Sequence, residues 1–292
     1  MTFRNVPTTA TVSPAFGLRA GARATNAHTT TITHHNVIFP HDLTTAKDNI
    51  ITPVTIQLNP LTRDPWGFGY NPDMPTYLDL ANWPRRELFE FFRNFDNPFF
   101  NICTRLDVTN LLAELRNHPG VSVSLAYHYF ALKAANEVEQ FRYRLRNGQV
   151  LVHDIINGGT TVMLPNETFT LVYFDYAGTF ADFIGPAQQA VEEIKKDGTF
   201  RPRHEDDARI HCTTIPWIPF TSFSHARNWR REDSVPKISF GKFTRENNRL
   251  LMPFSVEVHH ALMDGLHVGR YVARIEEMLA QPEIYLNSRV DA

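Results

Sequence analysis

The segment RLLMPFSVEVHH, residues 249 to 260, narrows what this chain folds into more than any other stretch. It has the period of a strand, so Phe254, Val256, Val258 and His260 fall in one phase and Ser255, Glu257 and His259 in the other. One imidazole therefore lies with apolar neighbours and the other with polar ones. Asp264 and Gly265 offer a turn, and VGRYVARIEEMLA then sets Val268, Tyr271, Val272, Ile275, Met278 and Leu279 on one helical stripe. Upstream the elements do not alternate. Helices fit WPRRELFEFFR, with Asn82 as cap and Leu88, Phe89 and Phe92 on one face, LDVTNLLAELRNHPG, ended by Gly120, and SLAYHYFALKAANEV. Strand patterns follow in GQVLVHDII, TTVMLP, TFTLVYF, RIHCTTI and PKISFGKF, with ADFIGPAQQAVEEIKK as an intervening helix and a turn at Glu246 to Asn248. This order predicts an α+β sandwich around one sheet rather than a doubly wound fold.

Composition sets bounds on partners. With 42% hydrophobic residues among 292, the chain can bury one large core or two modest ones. Lys+Arg 29 against Asp+Glu 31 gives a formal charge of -2, which offers no field for nucleic-acid phosphates or an anionic membrane. No apolar run approaches the roughly 18 residues needed to cross a bilayer. Cys103 and Cys212 each sit in an apolar strand-like run without CxxC spacing, as reduced thiols of a cytoplasmic protein would. Residues 1 to 73 differ from the rest: rich in Thr, Asn, Pro and Ala and free of Glu, they read as a disordered extension, with Met74 as the expected start of one domain over residues 74 to 292. Arg4, Arg19 and Arg23 without an acid before residue 42 also fit a transit peptide, but no amphipathic Arg-bearing helix accompanies them.

Three readings compete for the histidines. His259, His260, Asp264 and His267 make a possible zinc set, but the strand phase sends the adjacent rings to opposite faces, and no metal site is expected. An acid/base reading needs only one histidine at the mouth of a pocket, and His260, ending an apolar face, suits it; spacing alone would pair it with Asp264. The third reading is ordinary packing at a strand end. In IPWIPFTSFSH, Ser222 is expected to be buried between Phe220 and Phe223, its hydroxyl serving a backbone carbonyl or the oxygen of a reacting carbonyl. No GxSxG elbow surrounds it, so it is a poor nucleophile.

NWPRRELFEFF, PWIPFTSF and VHHALMDGLHV together resemble the chloramphenicol acetyltransferase family in order, spacing and wording, and the likeness runs from residue 76 to about 282, taking in FRYRLRNGQVLVHD. His-x-x-x-Asp-Gly alone is shared with dihydrolipoyl acyltransferase cores, condensation domains and carnitine acyltransferases. The resemblance implies the CoA-dependent acyltransferase fold, a two-layer sandwich with a mixed sheet and helices on one side, and a homotrimer with active sites between subunits. By it His260 is the base that deprotonates an acceptor hydroxyl attacking acetyl-CoA, Ser222 donates to the oxyanion, and Asp264 pairs with Arg85 rather than with the histidine, while His259 and His267 are structural. Phe92, Phe100, Ser239 and Lys237 match acceptor positions, and Lys242 and Phe243 match the CoA strand, where the family usually has tyrosine at the second. Lys237 stands where the family is usually apolar, so it is expected either to reach solvent or to meet an anionic group on an acceptor other than chloramphenicol. Alternatives are a dihydrolipoyl-type acyltransferase and a catalytically silent ligand-binding trimer.

Overall fold

The computed structural model describes residues 76–203, 206–227 and 232–287; the extension read over residues 1 to 73 lies outside them. The elements are β1 (Thr76–Tyr77), α1 (Arg86–Phe92), β2 (Phe99–Asp107), α2 (Thr109–Glu114), α3 (Val123–Glu137), β3 (Tyr143–Arg146), β4 (Gln149–Val152), β5 (Asn157–Met163), β6 (Phe169–Phe174), α4 (Phe180–Asp197), β7 (Arg209–Ile215), β8 (Lys237–Gly241), β9 (Thr244–Glu246), β10 (Arg249–His259), α5 (Gly265–Ala280) and α6 (Pro282–Leu286). Seven strands form one mixed sheet in the order β2-β10-β8-β7-β5-β6, with β9 paired to β10, and β1, β4 and β3 form a smaller sheet. β7 runs parallel to both β5 and β8, while β2, β8 and β10 pair antiparallel.

Register explains the two faces of the large sheet. Phe254 lies opposite Phe240 and Thr104, and Val256 opposite Ile238 and Ile102, so one phase of each strand feeds a single apolar face. α3 and α5 cover that face, with Tyr127 against Phe240 and Tyr271 over Phe254. α3 is buried on nearly every side because its Ala126, Ala131, Ala134 and Ala135 let neighbours approach while Tyr129, Phe130 and Leu132 fill the gaps. The opposite phase carries Ser239, Ser255 and Glu257, all buried, against the irregular chain that follows β7. The expected α+β sandwich with helices on one side is the observed fold.

Local departures have local causes. α1 starts at Arg86 rather than after Asn82, because the Asn82 side chain and backbone N–H both donate to Asp79 and close a turn there. β3 carries no alternating pattern: its Arg144 is fully buried and donates to four main-chain carbonyls, of Phe141, Tyr143, Asp207 and Arg209, which knit the small sheet to β7. Burial pushes that guanidinium down to about 10. Asn247 and Asn248 take positive φ, 46° and 66°, in the tight turn joining β9 to β10.

Candidate active site

The end of β10 is tied down on three sides. His259 opposite Phe99 is the last registered pair, and the His260 N–H continues the ladder to the Pro98 carbonyl at 2.7 Å. Arg85, just before α1, then inserts its guanidinium into the turn: Nη2 donates to the His260 carbonyl at 2.6 Å, Nε to the Ala261 carbonyl at 3.3 Å, and Nη1 meets Asp264 Oδ2 at 2.5 Å. Asp264 caps α5 by accepting from the Leu266 N–H, and His267 Nδ1 accepts from the Asp264 N–H to complete the box. Burial opposes ionisation of Asp264, but His267 and Arg85 outweigh it and hold its carboxyl below the usual range. A His260–Asp264 dyad, which spacing alone suggested, is ruled out by this geometry: the carboxylate is occupied by Arg85 and the helix cap.

The His260 ring lies parallel to Phe92, 3.9 Å between centroids, and tilted against Phe100 at 4.7 Å. Its Nδ1 is 3.3 Å from the Met263 carbonyl. A carbonyl can only accept, so the neutral ring carries its proton on Nδ1, and Nε2 keeps a lone pair for a substrate proton. His259 has the other fate. Its ring is buried, edge-on to Phe99, with Nδ1 accepting from the Ala261 N–H, and burial pushes it down to about 4. The two rings have separate partners, and among the described residues no group of three or more His, Cys, Asp or Glu is placed to hold a metal ion.

Ser222 lies on the irregular stretch between β7 and β8, and here the expectation of burial fails: Ser222 is exposed. The flanking Phe220 and Phe223 rings pack on each other, 5.6 Å between centroids, and leave the serine uncovered. Phe220 packs where only a glycine fits, since a Cβ on Gly241 would sit 3.0 Å from its ring and 2.8 Å from Pro253, and Phe223 meets the His225 ring edge-on. Lys237 is corrected as well. Its ammonium donates to the Ala226 carbonyl at 2.9 Å and stands 3.5 Å from Asp233, so it is neither unpaired nor in need of an anionic acceptor. Ser239 is fully buried beneath it, 3.3 Å from His225 Nε2. Lys242 is exposed and Phe243 half-buried, and the Lys242 N–H holds the Ile218 carbonyl beside exposed Trp217.

Three residues of this region escaped the sequence reading. Glu257, 5% exposed in mid-sheet, accepts from Arg227 Nε at 2.7 Å and from the His225 N–H at 3.1 Å. The signal was present, since a carboxylate in an apolar strand demands a partner. Its partners, however, lie thirty residues away in sequence.

Known structures share this architecture. The dihydrolipoamide acetyltransferase of Azotobacter vinelandii superposes with a TM-score of 0.52 at 16% identity, over 78% of this chain and 100% of that one, a likeness of fold. A solved chloramphenicol acetyltransferase gives a TM-score of 0.66 at 29% identity, over 70% of this chain and 100% of that one. A mixed sheet with helices on one face and a histidine ending its long strand thus defines an acyltransferase fold. Within that class, the chloramphenicol acetyltransferase profile matches residues 74–276. Chloramphenicol acetyltransferase 3 of Escherichia coli is 29% identical over 206 residues, 70% of this chain and 96% of that protein, and the enzyme of Streptomyces acrimycini is 30% identical over 211 residues, 71% and 96%. The chain belongs to the chloramphenicol acetyltransferase family, and it is an acetyl-CoA-dependent O-acetyltransferase.

Proposed function

We propose that the acceptor is chloramphenicol and that the enzyme confers resistance to it in the cytoplasm. The observation that carries this reading is the His260 ring, stacked on Phe92 and tilted against Phe100, with Nδ1 committed to the Met263 carbonyl. Such a ring offers Nε2 as a base to a hydroxyl on an aromatic, neutral acceptor. Pairing of Lys237 with Asp233 removes the one charge that argued against an uncharged antibiotic. His260 takes the acceptor proton as the hydroxyl oxygen attacks the thioester carbonyl, Ser222 Oγ donates to the oxygen on which charge develops, and collapse breaks the C–S bond, the proton on His260 passing to the departing CoA sulfur. A thioester is already activated, so positioning and these two groups suffice for direct transfer. Arg85 and Asp264 hold the turn that presents the base.

The site is shared between subunits of a homotrimer in this reading. Among the described residues no hydrogen bond joins His260 to Ser222, and the chain stretches that carry them each bear exposed apolar side chains. Leu88, Phe91 and Phe95, at 46%, 61% and 45% exposure, lie on or just after α1 around the Phe92 that stacks on His260, while exposed Trp217 and Ile218 belong to the serine segment and Met163 lines a cleft with Trp217. Two different patches on one chain suit a head-to-tail contact that closes a ring. The exposed ammonium of Lys242, with Phe243 and Trp217, supplies a cation and aromatic surface suited to the CoA nucleotide. Two unpaired cysteines, Cys103 and Cys212, agree with a reducing compartment.

The test is release of free CoA thiol from acetyl-CoA with chloramphenicol and a panel of other hydroxyl acceptors. Chloramphenicol should give the greatest release. Release only with another acceptor would move the substrate assignment, and none with any acceptor would leave a silent ligand-binding trimer.

A further inference from the structure

A hydroxyl that stabilises developing charge must be held within about half an ångström of its working position. Ser222 has no helix or strand to do this. The chain from Pro216 to Arg227 is irregular, and Ser222 itself is exposed and outside every hydrogen bond described above. Upstream of the serine the segment is held by the Lys242 N–H on the Ile218 carbonyl and by Phe220 against Gly241 and Pro253; downstream, its ties converge on one side chain. Glu257 Oε2 accepts from the His225 N–H at 3.1 Å, and Oε1 accepts from Arg227 Nε at 2.7 Å. Glu257 is on β10, hydrogen-bonded to β2 on one side and β8 on the other. Its carboxylate is therefore anchored to the stiffest part of the sheet.

The surroundings fit a clamp rather than chance burial. Arg227, with its side chain 3% exposed, lies over the Phe99 ring at 3.6 Å and is held a second time by Asp233 through Nη1. Lys237, opposite Glu257 on β8, reaches over to the Ala226 carbonyl, and Asn101, opposite it on β2, is turned to Ser255. The His225 ring is tied to Ser239 Oγ, with its Nδ1 3.9 Å from Glu257. Residues 225, 226 and 227 are thus each bound to the sheet or to a side chain on it. Burial opposes ionisation of Glu257, but His225 and Arg227 outweigh it and hold the carboxyl at about 2, so the clamp is charged at any working pH.

We propose that Glu257 is a positioning residue for acetyl transfer: by gripping residues 225 and 227 it sets where Ser222 Oγ stands. The proposal rests on the reading of Ser222 as the oxyanion donor. It holds whether the histidine that shares the site comes from the same chain or a neighbour, because every contact of the clamp is within one chain.

The experiment is a double-mutant cycle of E257Q and S222A, read as thiol release with whichever acceptor of the panel gives the most. E257A strips Arg227 of its nearer carboxylate and endangers the fold, so the isosteric E257Q carries the cycle. E257Q should lower kcat about tenfold with the acetyl-CoA KM within about twofold, and in the S222A background it should cost less than about twofold. The acid limb of the kcat/KM profile should not move, since Glu257 acts on the serine and not on the proton of His260. An unchanged kcat in E257Q, a full tenfold loss in the S222A background, or a shifted acid limb would each overturn the proposal while leaving Ser222 in place. An S222A enzyme with wild-type kcat would instead remove Ser222 as the donor, and the role of Glu257 with it.

Discussion

His260 and His259 are adjacent, yet their surroundings assign them opposite behaviour. His260 commits Nδ1 to the Met263 carbonyl and, among the described residues, leaves Nε2 without a hydrogen bond, while burial holds the His259 ring neutral. We expect His260→Ala to lower kcat roughly a thousandfold, the range for loss of a general base, with the circular dichroism spectrum unchanged. His259→Ala should keep most of the turnover and lose stability instead; equal activity losses in both would contradict the assignment. Lys237→Ile tests a residue whose surroundings the structure changed. Because its ammonium grips the Ala226 carbonyl beside the serine segment, chloramphenicol kcat/KM should fall about fivefold, close to 1 kcal/mol. A rise would mean that the charge faces the acceptor after all. The place of His260 at the strand end was legible from alternation, and the Arg85–Asp264 pair from the resemblance carried by NWPRRELFEFF and VHHALMDGLHV. Exposure of Ser222 and the partners of Glu257 and Lys237 were not, because the flanking Phe220 and Phe223 pack on each other and on His225 without covering the serine, and the ionic partners are distant in sequence.

At the scale of elements, α3 is joined to the sheet by a buried histidine. His128 Nδ1 donates to the Ser124 carbonyl at 2.6 Å, leaving Nε2 to accept from Thr160 Oγ1 on β5 at 3.1 Å. Burial, only partly offset by the Ser124 bond, pushes the ring down to about 4. The unfolded chain protonates it near the ordinary 6.5, whereas the folded chain resists until about 4. Stability from this group is therefore full above 6.5 and is lost as pH falls toward 4. His259, also at about 4, acts in the same window, and Asp207 and Glu257, held at about 2, extend the loss below the ordinary carboxylate range. We expect Tm to drop between pH 7 and pH 4.5, and His128→Gln to lower Tm at pH 7 but flatten that drop. A slope identical to wild type would exclude His128 as a contributor. The elements that periodicity exposed, α3, α5 and β10, are long and amphipathic or apolar throughout. β3 was hidden because Arg144 is satisfied by carbonyls rather than by a pattern, and the start of α1 because Asp79 captured the expected cap.

At the scale of the whole molecule, the first described strand follows closely on the region read as an extension. Thr76 and Tyr77 pair with Val152 and Leu151, and the family match starts at residue 74. We propose that residues 1 to 73 are dispensable for the fold, and deleting them should leave Tm and turnover within error of the full chain. Loss of soluble protein would show that the extension packs on the domain.

Assembly gives the sharper test. Phe91 is 61% exposed on α1, in ring contact with Phe92 and Phe95, and Phe92 in turn stacks on His260. Its own side chain points away from the core that Phe89 fills. A charge at Phe91 therefore costs the isolated chain little but is expensive inside a dry contact between subunits. Wild-type protein should sediment at three times the chain mass, and Phe91→Glu at the mass of one chain with unchanged circular dichroism. Because the base and the oxyanion donor are proposed to come from different subunits, thiol release should vanish with the trimer and recover as concentration drives reassociation. An active wild-type monomer, or a monomeric Phe91→Glu chain of full activity, would place the complete site within one subunit.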